Sequence, residues 1–271
     1  MTRLALERVS FWYPATAVPA LADCSLHVEG GEVVALVGHV GAGTSTLLLV
    51  AGDLAPRVVG GRLEGVVRFE GRGSGDEAGR GGGGGRGIVL PMPWTQLSGM
   101  AFTVWEEVAF GPANLGWARA EIVRQVDGAL ARLEIAALAE REPGTLSGGE
   151  LQRVIIAAIV AMEPALLLLD EPTAELDAAG ARLLWSLVRT LAADGTAVVV
   201  ATSDVDAIVD VADRVAWLEG GRVVKTGTPA LLADEVLCAA GLGTTVAGVW
   251  RAAQLPAPYP ATVTEAVQRW R

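Results

Sequence analysis

Lysine, histidine and cysteine are scarce in this sequence, and each shortage narrows the kinds of site it can contain. Among 271 residues, Lys225 is the only lysine and just two residues are histidine, so arginine supplies most of the positive charge. The net charge of -10 argues against nucleic acid as the main partner, because phosphate backbones bind basic surfaces. Cys24 and Cys238 lie far apart without metal-ligand spacing, so we expect two buried thiols and a reducing compartment.

Long apolar runs are also missing. The runs Val154–Met162 and Leu166–Leu169 are far shorter than the roughly 20 residues that span a bilayer. No charged and then apolar leader follows Met1, which predicts that the chain carries no secretory signal. We therefore expect a protein that is soluble on its own and works at a membrane only through a partner.

Short apolar runs instead alternate with helical patterns, which predicts the α/β class: a mainly parallel sheet wrapped by helices. Strands are predicted at Leu4–Val9, Cys24–Val28, Val33–Val37, Arg62–Glu70, Ile88–Leu90, Leu166–Leu169 and Ala197–Ala201. Helices are predicted at Trp105–Phe110, Arg119–Leu133, from the Ser147 region to Met162, and at Ala178–Leu191. A hairpin at Glu219-Gly220-Gly221 joins two short strands, Val215–Leu218 and Arg222–Lys225.

Between two of these strands lies a low-complexity segment, Gly71–Gly87, which is mostly glycine with some charged residues. Its composition predicts a flexible surface loop, because it cannot bury enough apolar area to order itself. Contact with nucleic acid is the alternative for a glycine- and arginine-rich tract. We do not favour it, because the segment is short, lacks aromatic residues and contains Asp76 and Glu77.

A glycine-rich segment directly after the strand Val33–Val37 organises the rest of the chain. Its residues, Gly38-His39-Val40-Gly41-Ala42-Gly43-Thr44-Ser45-Thr46, follow the spacing of the phosphate-binding loop G-x-x-x-x-G-K-[ST]. Such a loop directs backbone N–H groups at a phosphate, and the helix that follows adds its dipole. The alternative is a strand–helix turn without a ligand, since Thr44 stands where the motif has lysine.

Two carboxylates, Asp170 and Glu171, follow the aliphatic run that ends at Leu169. Ligands of open α/β sheets bind at the carboxyl ends of the strands. Asp170 is therefore predicted to hold Mg²⁺, directly or through water, alongside the Ser45 hydroxyl. Glu171 is predicted to orient or deprotonate an attacking water. A solvated acidic turn is the alternative.

The most specific motif is Leu146-Ser147-Gly148-Gly149-Glu150-Leu151-Gln152-Arg153. Taken alone, Ser147-Gly148-Gly149 could be an ordinary helix cap, because serine is a good N-cap. Together with the loop and the acidic strand end, it resembles the signature of ATP-binding cassette ATPases, and this resemblance covers nearly the whole chain. It implies a P-loop NTPase core of mainly parallel sheet, an antiparallel β subdomain, an α-helical signature subdomain and a short C-terminal extension.

The resemblance also implies roles for individual residues, with ATP and Mg²⁺ as cofactors. Tyr13 is where the family stacks an aromatic ring on adenine, and the loop Ala174–Asp177 is where it contacts the opposite subunit, so Asp177 is a predicted dimer contact. Family members pair head to tail, so that Ser147, Gly148, Gly149 and Glu150 would complete a partner's site. The implied domains are a nucleotide-binding domain at 1–228, with a helical subdomain at about 95–163, and a C-terminal extension at 229–271.

A narrower resemblance is to the energy-coupling-factor branch of importers for vitamins or metal ions. It rests on Trp94–Met100, on Thr103–Gly116 with its Glu106–Pro112 run, and on the tail from Ala239 through Trp250 and Tyr259 to Glu265. This branch often pairs two different ATPase subunits beneath an integral membrane coupling subunit, which carries a substrate-binding membrane protein. The resemblance therefore implies a peripheral location at the cytoplasmic face of the cell membrane.

Three positions depart from the family pattern. Thr44 replaces the phosphate-binding lysine, Pro91 replaces a glutamine that touches Mg²⁺ and water, and Ser203 replaces a switch histidine. Proline offers no side-chain donor or acceptor, and serine cannot titrate as imidazole does. Gln96 lies five residues after Pro91 and is an unlikely substitute.

We therefore expect an asymmetric pair, in which this chain's own site is impaired, with Glu171 at most weakly catalytic, while its signature serves a different partner chain. Two alternatives stay open: a non-hydrolysing module that uses ATP only for assembly, and the ATPase subunit of another cassette transporter type. A cassette ATPase acting on DNA or ribosomes is a more distant one, because this chain has neither a large insertion nor a second cassette.

Overall fold

The computed structural model describes residues 1–71 and 84–270. In this part of the chain the strands are β1 Thr2–Trp12, β2 Leu21–Glu29, β3 Val33–Val37, β4 Arg62–Phe69, β5 Arg86–Val89, β6 Leu166–Asp170, β7 Ala197–Ala201, β8 Arg214–Glu219 and β9 Arg222–Gly227. The helices are α1 Thr44–Ala51, α2 Val104–Asn114, α3 Arg119–Arg132, α4 Gly148–Val160, α5 Ala178–Ala193, α6 Val205–Ile208, α7 Glu235–Ala239, α8 Thr245–Ala252 and α9 Val263–Trp270. Short 3₁₀ turns lie at Pro93–Gln96, Ala136–Leu138, Pro143–Thr145 and Pro229–Ala233.

The predicted α/β fold is confirmed, with a mainly parallel sheet, an antiparallel β layer and helices. Strands β3, β6 and β7 are buried at every residue, as continuous apolar runs predict for parallel strands covered on both faces. Strand β4 instead alternates between exposed and half-buried residues and lies at the edge of a three-stranded sheet of order β2-β1-β4. The prediction of an edge strand at Arg62–Glu70 is therefore confirmed.

The chain forms two compact units, and strand β7 contributes to both. The first unit contains residues 1–3, 29–31 and, apart from 72–83, the chain from Phe69 to Val198. In it β5 pairs in parallel with β6, so that Ile88 lies opposite Leu168, and helices α2 to α5 belong to this unit. Helical spacing predicts an apolar face at Ile122, Val126, Leu130 and Leu133. The last three are buried, whereas Ile122 is half-buried.

The second unit contains residues 4–28, 32–68 and the described chain from Val199 onward. Here β3 pairs in parallel with β8, and β8 turns back at Gly220 and Gly221 to pair antiparallel with β9. This turn confirms the hairpin predicted at Glu219-Gly220-Gly221. Helices α1 and α6 to α9 belong to the same unit. The boundary proposed at residue 228 stays a prediction.

Two details of the sequence interpretation need correction. The predicted end of the glycine-rich loop, at Gly87, is wrong, because Arg86 and Gly87 already belong to β5 and pair with residues of β6. Residues 72–83 of that segment lie outside the described residues. The expectation of two buried thiols holds only for Cys24, whose burial raises its pKa to about 11, whereas Cys238 is half-buried.

Within the described chain, none of the helices combines the length and the apolar character needed to cross a bilayer.

Candidate functional site

The glycine-rich loop joins β3 to α1, and its glycines are required by close packing as well as by backbone conformation. Gly43 has a φ of 104°, in the left-handed region that favours glycine. A Cβ atom at Gly43 would lie 2.8 Å from the carbonyl oxygen of Ala20, and one at Gly38 would lie 2.6 Å from that of Leu218. The local fold therefore accounts for the glycines at both ends of the motif.

The β8–β9 turn contacts the base of the loop through hydrogen bonds. Ala42 donates its N–H to the His39 carbonyl at 2.8 Å and accepts a hydrogen bond from the Gly221 N–H at 2.9 Å. Gly221 in turn accepts a hydrogen bond from the Ala22 N–H at 2.9 Å. His39, Val40 and Gly41 form the exposed tip. The backbone hydrogen bonds thus fix the base of the loop and leave its tip facing solvent.

Helix α1 begins with the features of an anion site but without the usual cation. Its N-cap is Gly43, which offers no side-chain acceptor, and its first turn contains no acidic residue. The first N–H groups of a helix lack intrahelical partners and therefore suit a phosphate. Thr44 is half-buried, Ser45 is exposed and Thr46 is buried. The first turn thus presents hydroxyls where the motif has a lysine.

Lys225 does not compensate for this missing charge. Its Nζ lies 2.7 Å from Asp234 Oδ2, in an ion pair that joins β9 to the start of α7. Its hydrogen bond also helps hold the pKa of the Asp234 carboxyl below its usual range. The one lysine of the sequence therefore stabilises the C-terminal region.

Tyr13 lies directly after β1, and two neighbours hold its ring. The Phe11 and Tyr13 ring centroids are 5.0 Å apart in an edge-to-face arrangement, and the Tyr13 hydroxyl lies 3.1 Å from Thr46 Oγ1. A cavity of about 360 Å³ opens beside Tyr13. Its other lining residues include Trp12, Pro14, Thr16, Gly61 and Arg62. The second unit thus brings the predicted base-stacking ring together with the loop-bearing helix.

The acidic turn lies in the first unit. Asp170 ends β6 and is only 3% exposed, and Glu171 follows with a φ of 45°. A left-handed backbone at a non-glycine residue is strained and is common at functional sites. Among the described residues no cluster of three or more acidic, histidine or cysteine ligands could hold a metal ion. One carboxylate nevertheless suits Mg²⁺, which typically binds through one or two carboxylates, phosphate oxygens and water.

The signature motif forms the capped start of α4. Ser147 is the N-cap, and its Oγ and N–H each donate to Glu150 Oε2 at 2.8 Å, while Oγ accepts from the Glu150 N–H at 3.4 Å. These hydrogen bonds, with a smaller contribution from Arg141, hold the pKa of the Glu150 carboxyl below its usual range. Ser147 is therefore a helix cap, as its sequence predicts. A role in binding a partner's nucleotide stays a prediction.

A groove of about 330 Å³ adjoins this helix start, and its lining includes Ser147, Gly149, Glu150, Arg153, Glu175 and Asp177. Asp177 caps α5 by accepting the Gly180 N–H at 2.7 Å. Sequence patterns assign no individual role to Glu175. In the structure, however, a Cβ at Gly148 would lie 2.5 Å from Glu175 Oε2. A Cβ at Gly149 would lie 2.9 Å from the Glu175 carbonyl oxygen. Both signature glycines therefore leave room for this loop.

Gln152 connects the signature helix to the acidic turn. It is 1% exposed, and its Nε2 donates to the Pro172 carbonyl at 3.2 Å. Its Oε1 is buried and has no hydrogen-bond partner among the described residues. Buried polar atoms are nearly always satisfied, so this oxygen is an exception within the described chain. The Nε2 hydrogen bond links α4 to the turn that follows Asp170 and Glu171.

The other two departures lie in separate units. Pro91 is exposed just after β5 in the first unit, and Ser203 is exposed just before α6 in the second. Gln96 accepts the Leu90 N–H with Oε1 at 2.7 Å and donates Nε2 to the Ile88 carbonyl at 3.0 Å. Its amide is therefore engaged with the backbone around the end of β5, and the interpretation that Gln96 does not replace the glutamine missing at Pro91 stays a prediction.

The fold and these motifs define a P-loop nucleotide-binding cassette. A family model for ABC transporters matches residues 21–174. The cobalt import ATP-binding protein CbiO of Rhodobacter capsulatus is 43% identical over 244 residues, which cover 88% of this chain and 83% of that protein. The energy-coupling factor transporter ATP-binding protein EcfA1 of Lacticaseibacillus paracasei is 38% identical over 226 residues, covering 83% and 78%.

A solved structure gives the same result. The structure of cbiO1 from Clostridium perfringens, described as part of the ABC transporter complex cbiONQ, aligns with a TM-score of 0.72 at 27% identity. The alignment covers 94% of this chain and 99% of that one. The chain belongs to the ABC transporter family, as an ATP-binding subunit of the energy-coupling-factor type.

Proposed function

We propose that this chain is the degenerate ATP-binding subunit of an energy-coupling-factor importer for a vitamin or metal ion. Its signature completes the active site of a different, competent ATPase subunit, while its own site holds nucleotide weakly or statically. The observation that carries this proposal is the contrast between the two motifs. The phosphate loop has Thr44 in place of its lysine, whereas Ser147, Gly148 and Gly149 keep the signature, with Ser147 as the N-cap of α4.

The other departures support an impaired site of this chain's own. Pro91 has no side-chain group to contact Mg²⁺ or water, and Ser203 cannot supply a titratable imidazole. Glu171 and Asp170 remain, so Mg²⁺ and ATP can still be bound, with Ser45 and Asp170 as proposed metal ligands. A second copy of this chain would leave every site in the pair without its lysine, which favours a different partner.

A membrane coupling subunit is the second proposed partner, and it places this chain at the cytoplasmic face of the membrane. Four apolar side chains within residues 92–102 of the first unit are strongly exposed: Met92, Trp94, Met100 and Phe102. Exposed apolar patches on soluble proteins often mark interaction sites. The segment is fixed to α2, because buried Glu107 accepts hydrogen bonds from both the N–H and the Oγ of Ser98 at 2.7 Å.

Phe102→Ser should therefore weaken the complex with the membrane coupling subunit. The side chain is 82% exposed, so its loss should leave the fold intact, and burying a Phe side chain contributes about 1.5–3 kcal/mol. We expect at least about a tenfold loss of affinity in detergent pull-down titrations. Val58→Ser is the control, because Val58 is 71% exposed but lies outside this segment. Equal losses for both variants would argue against docking at residues 92–102.

The proposed pairing is tested by ATP turnover. We expect the purified chain alone to hydrolyse ATP at least about 100-fold more slowly than the assembled pair, because phosphoryl transfer depends on electrostatic stabilisation that Thr44 cannot supply. The pair should be made with a cassette subunit that retains the loop lysine, the glutamine and the switch histidine. Robust turnover by the isolated chain would refute the asymmetric assignment.

A further inference from the structure

We infer that Tyr13 has a second role besides offering its ring to a base: its hydroxyl positions the phosphate-binding helix start through Thr46. The inference rests on the proposed binding of nucleotide at this chain's own loop. It begins from one contact, the 3.1 Å hydrogen bond between the Tyr13 hydroxyl and Thr46 Oγ1, which joins residues 33 apart in the sequence.

The surrounding residues restrict the position of the Tyr13 ring. Phe11 is fully buried and packs edge to face against the Tyr13 ring, and a Cβ at Gly61 would lie 2.8 Å from the Phe11 ring. The Tyr13 carbonyl also accepts hydrogen bonds from the N–H and the Oγ1 of Thr16, at 3.2 and 2.8 Å. The ring therefore has little freedom, and its hydroxyl is directed at Thr46.

Thr46 lies in the first turn of α1, next to Thr44 and Ser45, and is 7% exposed. This turn carries the N–H groups available to a phosphate, and its N-cap, Gly43, has no side chain to fix it. The Tyr13 hydroxyl is thus a side-chain restraint on a helix start that lacks a capping side chain and the usual lysine. Tyr13 is a positioning residue for the phosphates, since it acts on them through Thr46.

A ligand without a base separates this role from stacking. Tyr13→Phe keeps the ring and removes the hydroxyl, so a residue that only stacked on adenine would leave the binding of inorganic tripolyphosphate unchanged. We expect Tyr13→Phe to weaken tripolyphosphate binding by about 2- to 10-fold, the value of one neutral hydrogen bond. ATP binding should fall by the same factor. Titration calorimetry of the full chain with magnesium and each ligand measures both.

Variants of Thr46 complete the test. Thr46→Val should weaken tripolyphosphate binding, whereas Thr46→Ser, which keeps a hydroxyl, should bind tripolyphosphate like the wild type. The double variant Tyr13→Phe with Thr46→Val should bind tripolyphosphate no more weakly than Thr46→Val alone, because both changes break the same hydrogen bond. Tyr259→Phe, at the only other tyrosine, is the matched control and should bind like the wild type. Normal binding by Thr46→Ser would also show that a changed side chain at position 46 does not by itself disrupt the fold.

Three results would overturn the inference: unchanged tripolyphosphate binding in Tyr13→Phe, full additivity in the double variant, or no tripolyphosphate binding by the wild-type chain. The asymmetric pairing fails by a different measurement, namely fast turnover by the isolated chain. A chain that binds no tripolyphosphate could still activate its partner through Ser147, so the two failures are distinguishable.

Discussion

Ser147→Arg should remove most ATP hydrolysis by the assembled pair. Ser147 lines the groove of about 330 Å³ beside α4, and an arginine would fill much of the space proposed for the partner's nucleotide. It would also remove the hydroxyl proposed to face that nucleotide. Removing one donor from a preorganised anion site costs about 100- to 1,000-fold in rate. The measurement is phosphate release by the reconstituted pair at saturating ATP.

A variant without added bulk separates the blocked groove from the lost hydroxyl. Ser147→Ala loses the same N-cap hydrogen bond to Glu150, at a cost of about 0.5–2 kcal/mol in stability, but adds no bulk. We expect both variants to melt at similar temperatures and Ser147→Ala to retain more hydrolysis than Ser147→Arg. Equal activities would mean that the lost hydroxyl, and not the bulk of the arginine, accounts for the loss.

Glu171→Gln is the complementary change and should have little effect on the pair. Glu171 would serve this chain's own site, which lacks the charge of a lysine at Thr44. A large loss in Glu171→Gln with none in Ser147→Arg would reverse the proposed division of labour. Unchanged transport in Ser147→Arg, with assembly lost only when ATP is withheld, would instead support the non-hydrolysing assembly module.

The parts of the fold that the sequence predicts best are those encoded by local pattern. Val33–Val37 is a continuous apolar run before a glycine-rich turn, and the structure places β3 at the same residues. The capped start of α4 follows equally well from Ser147 and Glu150, three residues apart. The predicted end of the glycine-rich loop is wrong at Arg86 and Gly87. Their composition resembles that of the preceding segment, but pairing with β6 makes them part of a strand.

Contacts between distant residues escaped prediction for a different reason. Nothing near Glu175 in the sequence indicates that its carboxylate packs against Gly148, and nothing near Tyr13 indicates its hydrogen bond to Thr46. Gln96 likewise has a structural role that only the folded chain reveals, because its partners are backbone atoms of the β5 segment. Motifs identify which residue types a site contains, whereas tertiary packing determines which of them touch.

Thr44→Lys should tighten ATP binding by the isolated chain by about 10- to 100-fold. The added ammonium would lie in the first turn of α1, where the motif places a cation against the phosphates, and a hydrogen bond to a charged group contributes about 1.5–3 kcal/mol. Without ligand, the same charge is unfavourable by about 0.3–1 kcal/mol, because it lies at the positive end of the helix dipole. Calorimetric titration gives the affinity, and thermal unfolding should show a lower melting temperature without ATP and a larger shift with it.

Thr44→Met separates charge from length, since it adds an unbranched side chain without an ammonium. We expect Thr44→Met to bind ATP no better than the wild-type chain, and the gain in Thr44→Lys to shrink as salt is raised, because exposed charges are screened. Equal affinities for the two variants would mean that the missing lysine does not limit binding. Full hydrolysis is not expected from Thr44→Lys alone, because Pro91 and Ser203 would still lack the groups that contact Mg²⁺, water and the γ-phosphate in the family. A variant that binds tightly and turns over slowly would separate the two consequences of the degenerate site.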